Sequence, residues 1–181
     1  LLPGGLGEGV ASAKRLRLLE MLPELLGEGR RAIVFSQFTS MLDLIAADLA
    51  AAGIHHEQLR GTTRDRAGPV RRFQEGQVPL ILISLKAGGT GLNLTGADMV
   101  IHFDPWWNPA VENQATDRAY RIGQRRTVYS IKLITQDSIE ERVLALQRKK
   151  QKLYDATLED SDDASDVHNL TWEDVQELLS L

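Results

Sequence analysis

The chain has 181 residues, 43% of them hydrophobic, no cysteine and a formal net charge of −4. That length suits one well-buried domain and not two large ones, and the lack of cysteine excludes a disulfide framework and thiolate metal sites. No apolar run approaches the ~20 residues that cross a bilayer, and Leu1 to Gly9 lacks a charged-then-apolar leader pattern, so no membrane partner is expected.

In chain order, residues 1–11 read as a boundary or linker segment. Leu16, Leu19, Leu22, Leu25 and Leu26 then make the apolar face of a helix over Ser12 to Leu26. Ala32 to Phe35 reads as a buried strand, Thr39 as the cap of a helix that ends at Gly53, and Ile54 to Leu59 as the next strand. The Gly68-Pro69 pair breaks or delays a helix that would otherwise run on from Thr63. Leu80 to Ser84 and Met99 to Phe103 are two further strands, and Thr127 to Thr135 alternates polar and apolar residues as an edge strand does. Strands alternating with helices predict an α/β fold whose mainly parallel sheet is covered on both faces. Ligands of such sheets gather at the carboxyl ends of the strands, where the loops at Ser36, Ser84 and Asp104 fall.

From Asp137 a long helix is expected to residue 158, with Ser138 and Glu141 in capping-box spacing and Ile139, Val143, Leu146 and Leu153 on one side. Residues 159–169, which include the run EDSDDASD, have almost nothing to bury and read as a disordered acidic linker. A short helix over residues 170–181 would place Trp172, Val175, Leu178 and Leu179 on its apolar side. Charge divides the chain: residues 1–154 hold all 21 Lys and Arg against 16 acids, whereas residues 155–181 hold nine acids and no Lys or Arg. A basic body suits contact with a phosphate backbone, though such a surplus is common on proteins that never meet nucleic acid. The tail reads as a solvating linker in preference to a mimic of DNA.

The segment Leu82 to Gln124 carries the chemistry. Arg118 and Arg121 are three residues apart, so on a helix both guanidiniums reach one anionic target, a polyphosphate above all. The alternative is an exposed pair bonded to Glu112 or Asp117. Gln114 lies one turn before Arg118 and can position it or bond a nucleotide. Gly88, Gly89 and Gly91 form a loop with no side chains to block a ligand, yet Leu94 holds the third glycine position of a dinucleotide fingerprint, which excludes that motif. Trp106 and Trp107 either stack on a base or lock their loop against the core. His55, His56, His102 and His168 lack ligand spacing, so no metal site is expected.

SLKAGGTGLNL (84–94), DPWWNP (104–109) and ENQATDRAYRIGQ (112–124) resemble the fifth and sixth motifs of the Swi/Snf-type ATPases, the DNA translocases and chromatin remodellers of helicase superfamily two. RRAIVFSQFTSMLDLI (30–45) and LRGTTRDRAGPVRRFQ (59–74) resemble the fourth motif and the segment after it, so the likeness spans about residues 12 to 158, with 137–158 as the family's bracing helix. Arg60 departs from the acidic residue usual before Gly-Ser/Thr-Thr. The resemblance implies a C-terminal RecA-like lobe that grips the backbone of double-stranded DNA, or of a nucleoprotein, and completes an ATP site across an interface. In it Arg118 and Arg121 are arginine fingers, and Gln114, Gly89, Gly91 and Asn93 face the nucleotide, with Asn93 at the ribose. Gln37, Gly61, Thr62, Thr63, Ser84, Lys86 and Trp107 face nucleic acid.

The chain has no Gly-Lys pair and no Asp-Glu pair, so the P-loop and the acidic magnesium motif would sit, with ATP and magnesium, on a preceding N-terminal RecA-like lobe of the same protein. By itself this lobe is then expected to be inactive. A site of action in the bacterial cytoplasm or nucleoid, or in a eukaryotic nucleus, follows from DNA as partner. The rival readings are a nonenzymatic nucleic-acid or protein binding module and, weakened by the absent P-loop, an independent nucleotide-binding enzyme.

Overall fold

The computed structural model describes residues 12–88, 91–121, 123–124, 126–157 and 171–179. Five strands form one all-parallel sheet in the order β2-β3-β1-β4-β5, made by β1 (Ala32–Ser36), β2 (His56–Leu59), β3 (Leu80–Ser84), β4 (Met99–His102) and β5 (Tyr129–Lys132). β1 lies in the centre, with Ala32 opposite Leu80 on one side and Met99 on the other. Every residue of β1, β3 and β4 is buried, as near-continuous apolar runs in a doubly covered parallel sheet require.

Alternate residues of these strands feed two cores. Ala32, Val34, Leu80, Leu82, Met99 and Ile101 join Leu18 and Leu22 of α1 (Ala13–Gly27) and Leu42, Ile45 and Leu49 of α2 (Thr39–Ala51). Ile33, Phe35, Ile81, Ile83 and Val100 join Phe73 of α3 (Ala67–Gln74) and Ala115 of α5 (Pro109–Thr116). A single turn, α4 (Leu85–Gly88), follows β3; the long α6 (Ile139–Thr157) and the short α7 (Trp172–Leu179) complete the order. No described helix is long and apolar enough to cross a membrane.

Several boundaries differ from the expectations, each for a local reason. Thr39 is the first residue of α2 and not its cap; Phe38 stands at the cap, and no side chain bonds there. The strand expected from Ile54 starts at His56, because Gly53 at φ +70° turns the chain and Ile54 N–H donates back to Leu49 O at 2.8 Å, closing the helix end. The strand expected over Thr127 to Thr135 shrinks to four residues, since its partner β4 offers only four. The helix after Thr63 is delayed to Ala67. There Asp65 Oδ1 accepts the Gly68 N–H at 3.0 Å, and Pro69 falls in the first turn, where its missing donor costs nothing. A Cβ on Gly68 would stand 2.5 Å from Asp65 Oδ2, so this cap and its glycine belong together.

The long helix expected from Asp137 forms as α6, starting at Ile139, and Lys132 of β5 bonds its Gln147 at 2.8 Å. Glu141 Oε2 accepts the Asp137 N–H at 3.1 Å and Ser138 Oγ the Glu140 N–H at 3.2 Å, a capping box displaced by one residue. Lys14, buried, reaches from α1 to donate to Phe103 O at 2.9 Å and to pair with Glu140 of α6 at 2.5 Å. The acidic linker at 159–169 lies outside the described residues. α7 bonds α6 through Asp174 and Lys150 at 3.0 Å, while Trp172, expected on an apolar contact side, is 72% exposed.

His102 is stacked on Phe35 with centroids 5.7 Å apart, and its Nε2 lies 3.0 Å from Thr116 Oγ1. Burial holds its pKa down to about 4, with the positive charge of Lys132 acting in the same direction and Glu112 opposing. The unfolded chain therefore takes up a proton near pH 6.5 that the folded chain refuses until about pH 4. Between those values stability falls as pH falls, by up to about 1.4 kcal/mol per pH unit from this group. Histidine NMR is expected to show a neutral imidazole at pH 5, and urea titrations of wild type and His102→Gln between pH 6.5 and 4.5 to differ by that slope.

Candidate ATPase and nucleic-acid site

The candidate residues fall into two clusters. One occupies the carboxyl ends of β1, β3 and β4, where β1 leads toward one edge of the sheet and β4 toward the other. Asp104, just past β4, accepts the Ser36 hydroxyl and the Gln37 N–H, both at 2.8 Å, and so bridges the two strand ends across this crevice. Burial pushes the Asp104 carboxyl up, against the opposing pull of the Gln37 and Ser36 hydrogen bonds and of Lys14. Beside it lies a cleft of about 260 Å³ lined in part by Lys14, Phe38, Met41, Phe103 and Thr135.

Of the residues expected to face nucleic acid, Gly61, Thr62 and Lys86 are exposed and Gln37 is half-buried. Thr63 does not start a helix: its hydroxyl accepts the Arg60 N–H at 2.9 Å within a turn. Ser84 is buried and its Oγ accepts the Ala87 N–H at 3.3 Å, starting α4. Arg60, the departure from the family pattern, pairs with Asp43 of α2, and Arg72 makes a two-pronged pair with Glu57 at 2.5 and 2.9 Å. Arg64 and Arg71 stay exposed nearby.

Trp107 is half-buried, with the Lys150 ammonium 5.5 Å from its ring centre and Trp106 tilted against it at 6.1 Å. Around this loop the chain spends its buried charge. Glu112 accepts the Trp106 N–H at 2.6 Å and pairs with Lys132 at 2.5 Å, and Gln147 of α6 donates to Trp106 O. The geometry favours a loop locked to α5, β5 and α6. The sequence placed Asp104 in a loop at a strand end and offered Glu112 as a partner of the arginines, but it did not give these two or Gln147 their loop-holding role, since a carboxylate or amide aimed at a backbone N–H or C=O leaves no spacing pattern.

The second cluster forms where the loop 91–97 meets residues 117–126, toward the amino ends of the strands. α5 stops at Thr116, so Arg118 and Arg121 sit in consecutive turns and do not share a helical face. Arg118 is 6% exposed, and its Nε has no hydrogen-bond partner among the described residues; Arg121 and Gln114 are exposed. The pairing of Arg118 with Glu112 is absent, because Glu112 serves Lys132 and Trp106. Gly91 adopts φ +54°, and Asn93 is exposed, its carbonyl accepting from Gln74 at 2.9 Å. Gly89 lies outside the described residues. Leu94 N–H donates to Arg118 O at 3.0 Å, joining the two segments directly.

Residues 14–123 match the family described as the helicase conserved C-terminal domain. The chain is 45% identical over 153 residues to the ATP-dependent helicase rhp16 of Schizosaccharomyces pombe, covering 83% of this chain and 18% of that protein. It is 39% identical over 173 residues to the Arabidopsis thaliana protein Chromatin Remodeling 24, covering 94% and 16%. Among solved structures, the Sulfolobus solfataricus SWI2/SNF2 ATPase core domain superposes with a TM-score of 0.70 at 36% identity, over 94% of this chain and 35% of that one. The chain thus spans about a sixth of the length of these two curated relatives.

The crevice depends on Asp104. Asp104→Ala leaves the Gln37 N–H without its acceptor and the buried Ser36 hydroxyl with only the longer bond to Phe38 O at 3.3 Å, and is expected to cost about 1–3 kcal/mol in a urea titration, whereas Asp104→Asn, which keeps one oxygen, costs less.

Proposed function

The chain belongs to the helicase conserved C-terminal domain family and is the C-terminal RecA-like lobe of a Swi/Snf-type ATPase; from that premise we propose that it completes an ATP site with Arg121 and holds the backbone of double-stranded DNA. The observation that carries the reading is the exposed Arg121 on a segment hydrogen-bonded to the loop that bears Gly91 and Asn93. A guanidinium free to reach across an interface suits the charge that develops on a transferred phosphoryl group, and such a finger contributes ~10³ to 10⁵ in rate.

ATP supplies the phosphoryl group, and a preceding lobe would carry the P-loop, the acidic motif and magnesium. On this chain, Asn93 and Gln114 are exposed beside the arginine segment and fit polar contacts to the nucleotide. Arg118, buried, supports that segment from within and reaches the phosphates only if the segment shifts on closure. Closing the two lobes brings Arg121 to the phosphates; opening withdraws it.

At the carboxyl edge, Gln37, Gly61, Thr62 and Lys86, with Arg64 and Arg71, offer polar and cationic groups to one DNA strand. Contacts of this kind hold the backbone without reading sequence, as a motor that travels along DNA requires. Ser84, Thr63 and Trp107 serve this surface by holding its loops in place. Alternating grips by the two lobes then move the protein along naked DNA or a nucleoprotein, in the bacterial cytoplasm or nucleoid or in a nucleus. Without the preceding lobe this chain hydrolyses no ATP.

Two measurements test the proposal. In a DNA-stimulated ATPase assay of this chain with a preceding lobe, Arg121→Ala is expected to lower kcat by about 10³ or more while leaving the thermal midpoint of the chain unchanged, because the side chain is exposed. Full activity in that variant would leave a nonenzymatic binding role as the better reading. In DNA binding measured against salt, Arg64→Ala combined with Arg71→Ala is expected to reduce the slope of log K on log salt by about 2, uniformly across sequences.

A further inference from the structure

The segment from Asp117 to Arg126 carries both arginines, and its described residues have no regular secondary structure, so tertiary contacts must set its position. One side chain supplies several of them. The Gln124 amide nitrogen lies 2.7 Å from Ala97 O, 3.1 Å from Thr95 O and 3.1 Å from Ala119 O. Its two hydrogens are shared among three carbonyls, two on the loop after Asn93 and one next to Arg118. At its other end Oε1 accepts the Arg126 N–H at 2.9 Å. Arg126 in turn reaches Gly29 O at 3.2 Å and Asp98 at 3.1 Å, just before β4.

The chemistry demanded at position 124 is narrow. A primary amide is the uncharged side chain that donates two hydrogens while also accepting. Glutamate would set a carboxylate oxygen against three carbonyl oxygens, and alanine would remove all three bonds, leaving the two segments joined by the Leu94–Arg118 bond and the exposed Arg126–Asp98 pair. The span matters as well, for asparagine is one methylene short of the Thr95 and Ala97 carbonyls.

We propose that Gln124 is a positioning residue for Arg121: it fastens the arginine segment to the Gly91–Ala97 loop so that finger and nucleotide-facing loop move as one body. This rests on the reading of Arg121 as the finger. Gln124 touches no reacting atom; it acts by fixing where Arg121 starts from when the lobes close, and a displacement of about 1 Å at such a group can cost ~10²-fold in rate.

Two readouts test it, using Gln124→Ala and the equal-sized Gln124→Glu, which removes the donor if the alanine variant does not fold. Hydrogen exchange on this chain is expected to speed at least about tenfold at the Leu94 amide, which bonds Arg118 O, while amides of β1 and β3 keep wild-type protection. In the DNA-stimulated ATPase assay with a preceding lobe, kcat is expected to fall about 10²-fold with KM for ATP little changed, a split that simple loss of folded protein and loss of nucleotide binding do not both produce. Wild-type exchange at Leu94, or wild-type kcat, in a folded Gln124 variant overturns the proposal. The two readings fail separately. If Arg121→Ala keeps its activity, the finger assignment falls; if Arg121→Ala is inactive and Gln124→Ala is not, only the positioning role falls.

Discussion

The central constraint is the double pairing of β1. Every residue of Ala32–Ser36 is buried, and the strand is hydrogen-bonded on both edges to parallel partners. Parallel strands cannot be joined by tight hairpins, so each connection must cross over the sheet, and its helices bury the apolar residues on the two faces. The two cores, one under α1 and α2 and the other under α3 and α5, follow from the alternation of side chains along β1, β3 and β4. The divergence of the chain after β1 and β4 opens the crevice that Asp104 spans.

Buried charge in this lobe is spent on holding loops. Lys14, Asp104 and Glu112 each lie deep in the structure and each bonds a backbone group of a different element as well as a side chain. Left unpaired they would be destabilising; paired to the backbone they fix loops that have no periodic structure of their own. Arg121 is the contrast, exposed on a segment whose position is set by neighbours. Under the proposed role, the cation offered across an interface stays outside and the scaffolding charges stay inside.

The elements of the fold were legible in the sequence because burial imposes a period. β1, β3 and β4 appear as short β-branched runs, and α1 and α6 as repeated apolar positions, each within a residue or two of its observed place. The family was legible too, since DPWWNP and ENQATDRAYRIGQ are spelled out in order. Element ends were less so. Where β2 begins depends on how the preceding helix closes, with Ile54 N–H bonded back to Leu49 O, and where β5 stops depends on the length of the neighbouring β4, which lies elsewhere in the chain.

The sequence by itself determined which residues can meet phosphate: a guanidinium, a glycine loop or a threonine carries its chemistry wherever it lies. Tertiary structure alone decided which of them are available. Helical spacing placed Arg118 and Arg121 on one face, yet α5 ends at Thr116, and one arginine is buried while the other is open. Ser84 and Thr63 have hydroxyls suited to a phosphate oxygen, and the folded chain also gives both a local task, accepting backbone N–H groups. Gln124 passed without a role because its partners, Thr95, Ala97 and Ala119, are carbonyls that every residue possesses. A hydrogen bond to the backbone depends on where the chain passes, not on which residue passes there, and that is information only the folded molecule holds.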